Sequence, residues 1–329
     1  MCTAISYRNR YFGRTLDWEH DFGECVAVTG RGFDFKFRKA DTPKHHFAIM
    51  GMAKMVGGYP LYFDAANEYG LCMAGLNFTL SAQYGAGGGD VLLCPFEFIP
   101  YVLSSCRNME AARELLPHVS LADEDFSPQL KNARLHWLLS DGTDSVVIEP
   151  RAGGLEIREN NVGVLTNEPP FDYHVCHLSN YMNVTSAEAE SRFAEGLAIH
   201  PYSRGMGSVG LPGDNSSQSR FVRAAFARWN SHQSEESDEA DITQFFHVLG
   251  AVEQVEGSVR ADGGYERTQY TSCIDTKRGI YYYKTYENSA LTAVDMSLCQ
   301  IDGAGVYTFP LRRRQVILNA AAPYSLSDS

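Results

Sequence analysis

The chain has 329 residues, 44% of them hydrophobic, with 18 Tyr and 18 Phe, enough to fill a large core. A net charge of -12 argues against non-specific binding to nucleic acid or to an anionic bilayer, and no apolar run approaches the roughly 18 residues a membrane span needs. The eight cysteines form no C-x-x-C pair and mostly sit in apolar runs. That usage, with no secretory leader pattern at the start, reads as free thiols in a cytoplasmic protein.

In chain order, strand-like residues follow Met1-Cys2, and short apolar runs recur at Phe47 to Met52, Leu61 to Asp64 and Leu71 to Leu80, punctuated by Gly and Asn. Pro95 suits a helix first turn, with Phe96, Ile99, Leu103 and Cys106 at helical spacing; Asn108 caps a second helix. Strands return over Arg134 to Ser140, Ser145 to Glu149 and Gly163 to Thr166, and His174 to Cys176-His177 fits one helical turn. Ser219 is read as the cap of a helix with Phe221, Val222, Ala225, Phe226 and Trp229 on its inner side, and Asp241 with Gln244 as a capping box opening another. The chain closes on strands at Thr268 to Asp275, Gly279 to Tyr286 and Leu291 to Met296. Strand block, helix block, strand block, helix block, strand block predicts a layered α+β domain, with disorder expected at Ser231 to Asp241 and Ser325 to Ser329.

The chemistry begins at Cys2. If Met1 is removed, one residue carries a thiol, the most nucleophilic side chain of covalent catalysis, and an α-amine titrating near pH ~7.7–8.0 that can act as its base. Arg14, permanently charged, would favour the thiolate, and Asp17 would accept from the amine. Asn77 and Asn167 each stand in or at the end of an apolar strand, where a buried amide needs partners; two such amides can aim donors at an oxyanion. Arg220 opens an apolar helix. The His residues complete no metal-ligand set, and Gly85 to Gly89 lacks the context of a phosphate loop, so no cofactor is expected.

Taken together and in order, Met1-Cys2-Thr3, Phe12-Gly13-Arg14 with Asp17, Gly75-Leu76-Asn77-Phe78, Leu135-His136-Trp137, Leu165-Thr166-Asn167 and Ser219-Arg220-Phe221 resemble the choloylglycine hydrolase family, which contains bile salt hydrolases and penicillin V acylases. The resemblance spans essentially the whole chain. It implies an N-terminal-nucleophile hydrolase of residues 2–329 in one domain, a four-layer αββα sandwich of two mainly antiparallel sheets, loss of Met1 and a homotetramer. Carried over, Cys2 is nucleophile and base, Arg14 and Asp17 surround it, Asn167 and the Asn77 backbone N–H form the oxyanion hole, and Arg220 supports the nucleophile. Asn at position 77 is similar to the bile salt hydrolases and favours a conjugated bile acid substrate. Trp18, Phe22, Met52, Met55, Tyr59 and Phe126 are the bulky candidates for the pocket. The alternatives are a penicillin V acylase, capture of the acyl group by an amine, and an inactive binding protein of the same fold.

Overall fold

The computed structural model describes residues 1–43, 46–232 and 237–319. In chain order the strands are β1 (Cys2–Tyr7), β2 (Tyr11–Trp18), β3 (Glu24–Thr29), β4 (Ile49–Val56), β5 (Tyr59–Asn67), β6 (Cys72–Asn77), β7 (Val91–Leu93), β8 (Val119–Leu121), β9 (Leu135–Ser140), β10 (Ser145–Arg151), β11 (Gly154–Glu159), β12 (Val164–Leu165), β13 (Val259–Ala261), β14 (Gly264–Asp275), β15 (Ile280–Thr285), β16 (Thr292–Asp295) and β17 (Val306–Pro310). The helices are α1 (Pro95–Ser105), α2 (Met109–Leu115), α3 (Phe171–Leu178), α4 (Ser217–Asn230) and α5 (Asp238–Gly250). One sheet runs β12-β1-β2-β14-β15-β16, with β13 pairing β14; the other runs β11-β10-β9-β6-β5-β4-β3-β17, and both are antiparallel.

Period-2 alternation makes each sheet apolar on both faces, so each needs two covers. On β1, Ser6 reaches Ser140 of the second sheet and Gly142 in the turn after it, while Tyr7 packs edge-on against Phe245 of α5. One core therefore lies between the sheets and beneath α4 and α5, and a second lies between the eight-stranded sheet and α1 and α2. This is the αββα sandwich, and α1 and α2 begin where the sequence places them, with Pro95 in the first turn and Asn108 Oδ1 accepting from Ala111 N.

Three expected boundaries move. Ser216, not Ser219, caps α4. Ser237, not Asp241, caps α5, which leaves Asp238, Glu239 and Asp241 in the first turn, where a helix N-terminus favours negative charge. The strand read over Gly163 to Thr166 shrinks to β12, because the carbonyls of Thr166 and Asn167 are held by histidine side chains instead of a strand. Strands β3 and β17 at the edge were not anticipated. Part of Ser231 to Asp241 and all of Ser325 to Ser329 lie outside the described residues.

Gly13 shows how closely the first sheet is drawn together. A Cβ there would sit 2.0 Å from the Ser272 carbonyl oxygen of β14. Gly13→Ala is expected to cost about 3 kcal/mol, since backbone rather than a mobile side chain must yield. Urea unfolding of the two proteins measures it, and equal midpoints would mean that β14 moves aside freely.

Candidate active site

Residues facing each other across β1 and β2 share a face: Cys2 pairs Leu16 and Ala4 pairs Arg14. The Cys2 thiol and the Arg14 guanidinium therefore both point between the sheets, and both line one cavity. Asp17 falls on the opposite face, toward the helices. Its carboxylate accepts from the hydroxyls of Thr268 at 2.6 Å and Thr15 at 3.2 Å, and burial raises its pKa. The expected contact of the Asp17 carboxylate with the Cys2 nitrogen is absent from this chain, in which Met1 is still attached. Met1 instead extends β1 by one residue against Asp17, its amine donating to the Asp17 carbonyl and to Glu266, while Asp17 N donates to Met1 O.

The other edge of β1 explains Asn167 and Arg220. The main-chain groups of Cys2 face β12, which ends at Leu165. Two side chains complete the ladder. Cys2 N donates to Asn167 Oδ1 at 2.9 Å, and Arg220 Nη1 donates to Cys2 O and, at 2.7 Å, to Thr3 Oγ1. Arg220 Nη2 also donates to Asn167 Oδ1 at 2.7 Å. Arg220 is wholly buried at the start of α4, and that burial lowers its pKa from the ordinary arginine value.

Asn167 Nδ2 donates to Asn77 O at 2.9 Å. A primary amide has a second N–H, which this bond leaves free for an incoming oxygen. Phe78 N donates to Arg134 O and Leu135 N to Tyr84 OH, so Asn77 and Leu135 are a non-hydrogen-bonded pair and the Asn77 N–H points away from β9. The two donors expected at positions 77 and 167 are thus beside one another.

Two buried histidines, unremarked in the sequence as site residues, hold the backbone at this corner. His136 Nε2 donates to Thr166 O and His174 Nε2 to Asn167 O, both at 2.9 Å, and Ser217 Oγ accepts from Asn167 N. His174 must be neutral with its proton on Nε2, and burial pushes its pKa down to about 4. The unfolded chain binds that proton near pH ~6.5. Between these values the unfolded state holds one more proton than the folded one, so stability rises with pH at about 1.4 kcal/mol per pH unit. The contribution is full above pH ~6.5 and lost as pH falls toward 4. Urea titrations from pH 4.5 to 7 are expected to show that extra slope in the parent protein and not in His174→Gln; parallel slopes would place the proton elsewhere.

The cavity holds about 300 Å³ and is mostly apolar. Trp18, Phe22 and Phe126 line it. Met52 does not: it is fully buried between the sheets on β4. Met55 and Tyr59 pack instead in the helix-side core, where Tyr59 backs Phe96 and Phe126 from outside the cavity. Leu16, Phe63 and Ile99 take their place in the wall. A further buried acid, Asp64, accepts from Tyr270 OH at 2.5 Å, Tyr281 OH at 2.6 Å and Ser272 Oγ at 3.0 Å, and burial raises its pKa. Its signal in the sequence was a lone carboxylate closing the apolar run Leu61-Tyr62-Phe63-Asp64.

The arrangement supplies a buried thiol beside a fixed cation, two N–H donors converging on one corner, and an apolar chamber: the parts needed for acyl transfer through a thioester. Comparison with known proteins agrees. A model described as linear amide C-N hydrolases, choloylglycine hydrolase family, matches residues 2–309. A bile salt hydrolase/transferase of Lactiplantibacillus plantarum is 45% identical over 95% of this chain and 97% of its own, and one of Clostridium perfringens is 35% identical over 94% and 96%. The crystal structure of the C2A mutant conjugated bile acid hydrolase from Clostridium perfringens superposes with a TM-score of 0.88 at 33% identity, covering 98% of this chain and all of that one.

Proposed function

This chain belongs to the choloylglycine hydrolase family of linear amide C–N hydrolases, and from that premise we propose that it cleaves the amide joining a steroid acid to glycine or taurine through a thioester on Cys2. The observation that carries the reading is the Cys2 thiol opening on an apolar cavity with Arg14 beside it and Asn167 bridging Cys2 N and Asn77 O.

Removal of Met1 frees the Cys2 nitrogen as an amine. That amine takes the thiol proton, the thiolate attacks the amide carbonyl, and the developing oxyanion is received by the free Asn167 Nδ2–H and the Asn77 N–H. The amine then passes its proton to the departing amino acid as the C–N bond breaks. Water, deprotonated by the same amine, attacks the thioester and releases the steroid acid and the thiol. The Arg14 guanidinium faces the same cavity as the sulfur, and Arg220 holds the Cys2 carbonyl and the Asn167 side chain in place. Asp17 acts at one remove, holding the strand pair next to the terminus.

Parallel assays of glycocholate, taurocholate and penicillin V test the substrate. Hydrolysis of the two bile salts at much higher kcat/KM is expected; preference for penicillin V would reassign the chain to the acylase branch. The named relatives are hydrolase/transferases, and a thioester can equally be captured by an amino acid, so new conjugates are expected when product mixtures with added amino acids are read by mass spectrometry. With a net charge of -12 the protein offers no long-range attraction to an anionic substrate, so KM is expected to change less than about twofold between 50 and 500 mM salt. A steep rise would reveal a basic entrance.

We propose further that the protein works as a homotetramer in the cytoplasm. Residues 179–216 are irregular apart from two short 3₁₀ turns, and they expose Met182, Phe193 and Tyr202 by more than four-fifths of their surface. Large apolar side chains exposed along one segment support that reading. Sedimentation equilibrium checks the assembly. Among the described residues no helix is long and apolar enough to cross a membrane.

A further inference from the structure

Strands β5 and β6 pair only from Asp64↔Ala74 to Ala66↔Cys72, although β5 begins at Tyr59 and β6 runs on to Asn77. The cause lies in β5. Between Met52↔Asp64 and Ala53↔Tyr62 the β4 register skips Phe63, an extra residue that bulges and bends the strand. Beyond the bulge β5 leaves β6, and the sheet forks. Each tine presents an unpaired carbonyl, Phe63 O and Gly75 O, and Arg14 Nη1 donates to both. The active-site cavity passes through this fork. Its wall includes Leu16 and Phe63, which pack with the core between the sheets, and Ile99 and Leu135, which pack with the core under α1.

At the fork stands Trp137, cross-strand from Gly75 on β9. The pyrrole edge of the indole lies over Gly75: a Cβ at that position would come 3.1 Å from Nε1. Phe98 closes on the ring from α1, edge-on at 4.8 Å. Trp137 has no accessible surface, lines the cavity, and its Nε1–H has no acceptor among the described residues. A buried donor left without a partner is costly, and native proteins seldom keep one without use. An apolar chamber with one or two fixed polar groups is the usual design of a site that orients a small molecule.

We propose that Trp137 is a specificity-determining residue: its indole N–H donates to an oxygen, hydroxyl or keto, carried on the ring system of the acyl group, so that the chamber selects oxygenated steroid acids over their deoxy counterparts. Gly75 adds no side chain to the packing around that N–H, which is closed off until the acyl group enters. The proposal rests on the steroid-amide reading above and adds to it which feature of the acyl group is sensed, and by what.

The test is kcat/KM on glycine conjugates of steroid acids bearing three, two, one and no ring oxygens, for the parent enzyme, Trp137→Phe and Gly75→Ala. Phe keeps an aromatic ring and loses the donor; Ala keeps the indole and covers its N–H. The parent is expected to prefer one oxygenated substrate over the analogue lacking that oxygen by at least about tenfold, and both variants to bring that ratio close to one. If Trp137→Phe fails to fold, Gly75→Ala alone decides. A fall by one common factor across the panel would assign Trp137 to packing, and an unchanged ratio would remove it from recognition; either overturns the proposal. Failure of the parent to hydrolyse any steroid conjugate would overturn the substrate reading itself, a result distinct from hydrolysis without discrimination.

Discussion

Cys2→Ser is expected to retain the fold and lose turnover by more than about 10³-fold. The contacts that hold residue 2 in place are main-chain ones, Cys2 N to Asn167 Oδ1 and Cys2 O from Arg220, and a serine keeps both. Its hydroxyl is close in size to the thiol it replaces in a nearly closed position. What changes is the nucleophile. A hydroxyl is weak at its free pKa and needs a strong base, whereas a thiol is already a few per cent ionised near neutrality, and removing a nucleophile from a concerted group costs most of the rate. Intact-mass spectrometry should confirm that Met1 is gone, thermal unfolding should agree within a few degrees, and kcat on glycocholate gives the loss. Turnover within tenfold of the parent would take sulfur out of the bond-forming step.

Asn167→Ala is expected to lower kcat by roughly 10²–10³, the effect of deleting one oxyanion donor. Here the truncation also does structural damage. Asn167 Oδ1 accepts from Cys2 N and Arg220 Nη2, and Nδ2 holds Asn77 O, so alanine leaves Cys2 N and one edge of a fully buried guanidinium without partners. A stability loss of about 2–4 kcal/mol should accompany the rate loss. Asn167→Asp separates the two effects. It keeps an acceptor facing Arg220 and Cys2 and deletes the N–H donors, so unfolding should recover much of the stability while kcat stays low. Should the aspartate variant turn over normally, Asn167 would be a brace for the strand and not an oxyanion donor.

The parts legible in the sequence share one property: a polar group where the local pattern demands an apolar one. Asn77 and Asn167 announce themselves that way, and the layered α+β architecture follows from the alternation of strand and helix blocks. The pocket wall was harder. Trp18, Phe22 and Phe126 line it, while Met52, Met55 and Tyr59 do not, because a bulky side chain reads the same whether it faces a chamber or a packed core. Asp17 lies three residues from Arg14 along β2, so the two side chains take opposite faces of the sheet, a separation that appears only once the strand is known. The fork between β5 and β6 is the least legible feature of all. It consists of pairing that does not occur, and its origin is one extra residue, Phe63, whose identity is ordinary for a strand.

Met1 has a consequence for how the enzyme comes to be active. In the folded chain this residue is the last rung of β1, bonded through both its nitrogen and its carbonyl to Asp17, with its charge matched by Glu266. An exopeptidase needs a loose, extended end, and here the end is tied down. If Cys2 is the nucleophile, as proposed, a chain that folds with Met1 in place is expected to be inactive until that residue is cut away, and a methionine aminopeptidase is expected to act more slowly on the folded protein than on the denatured one.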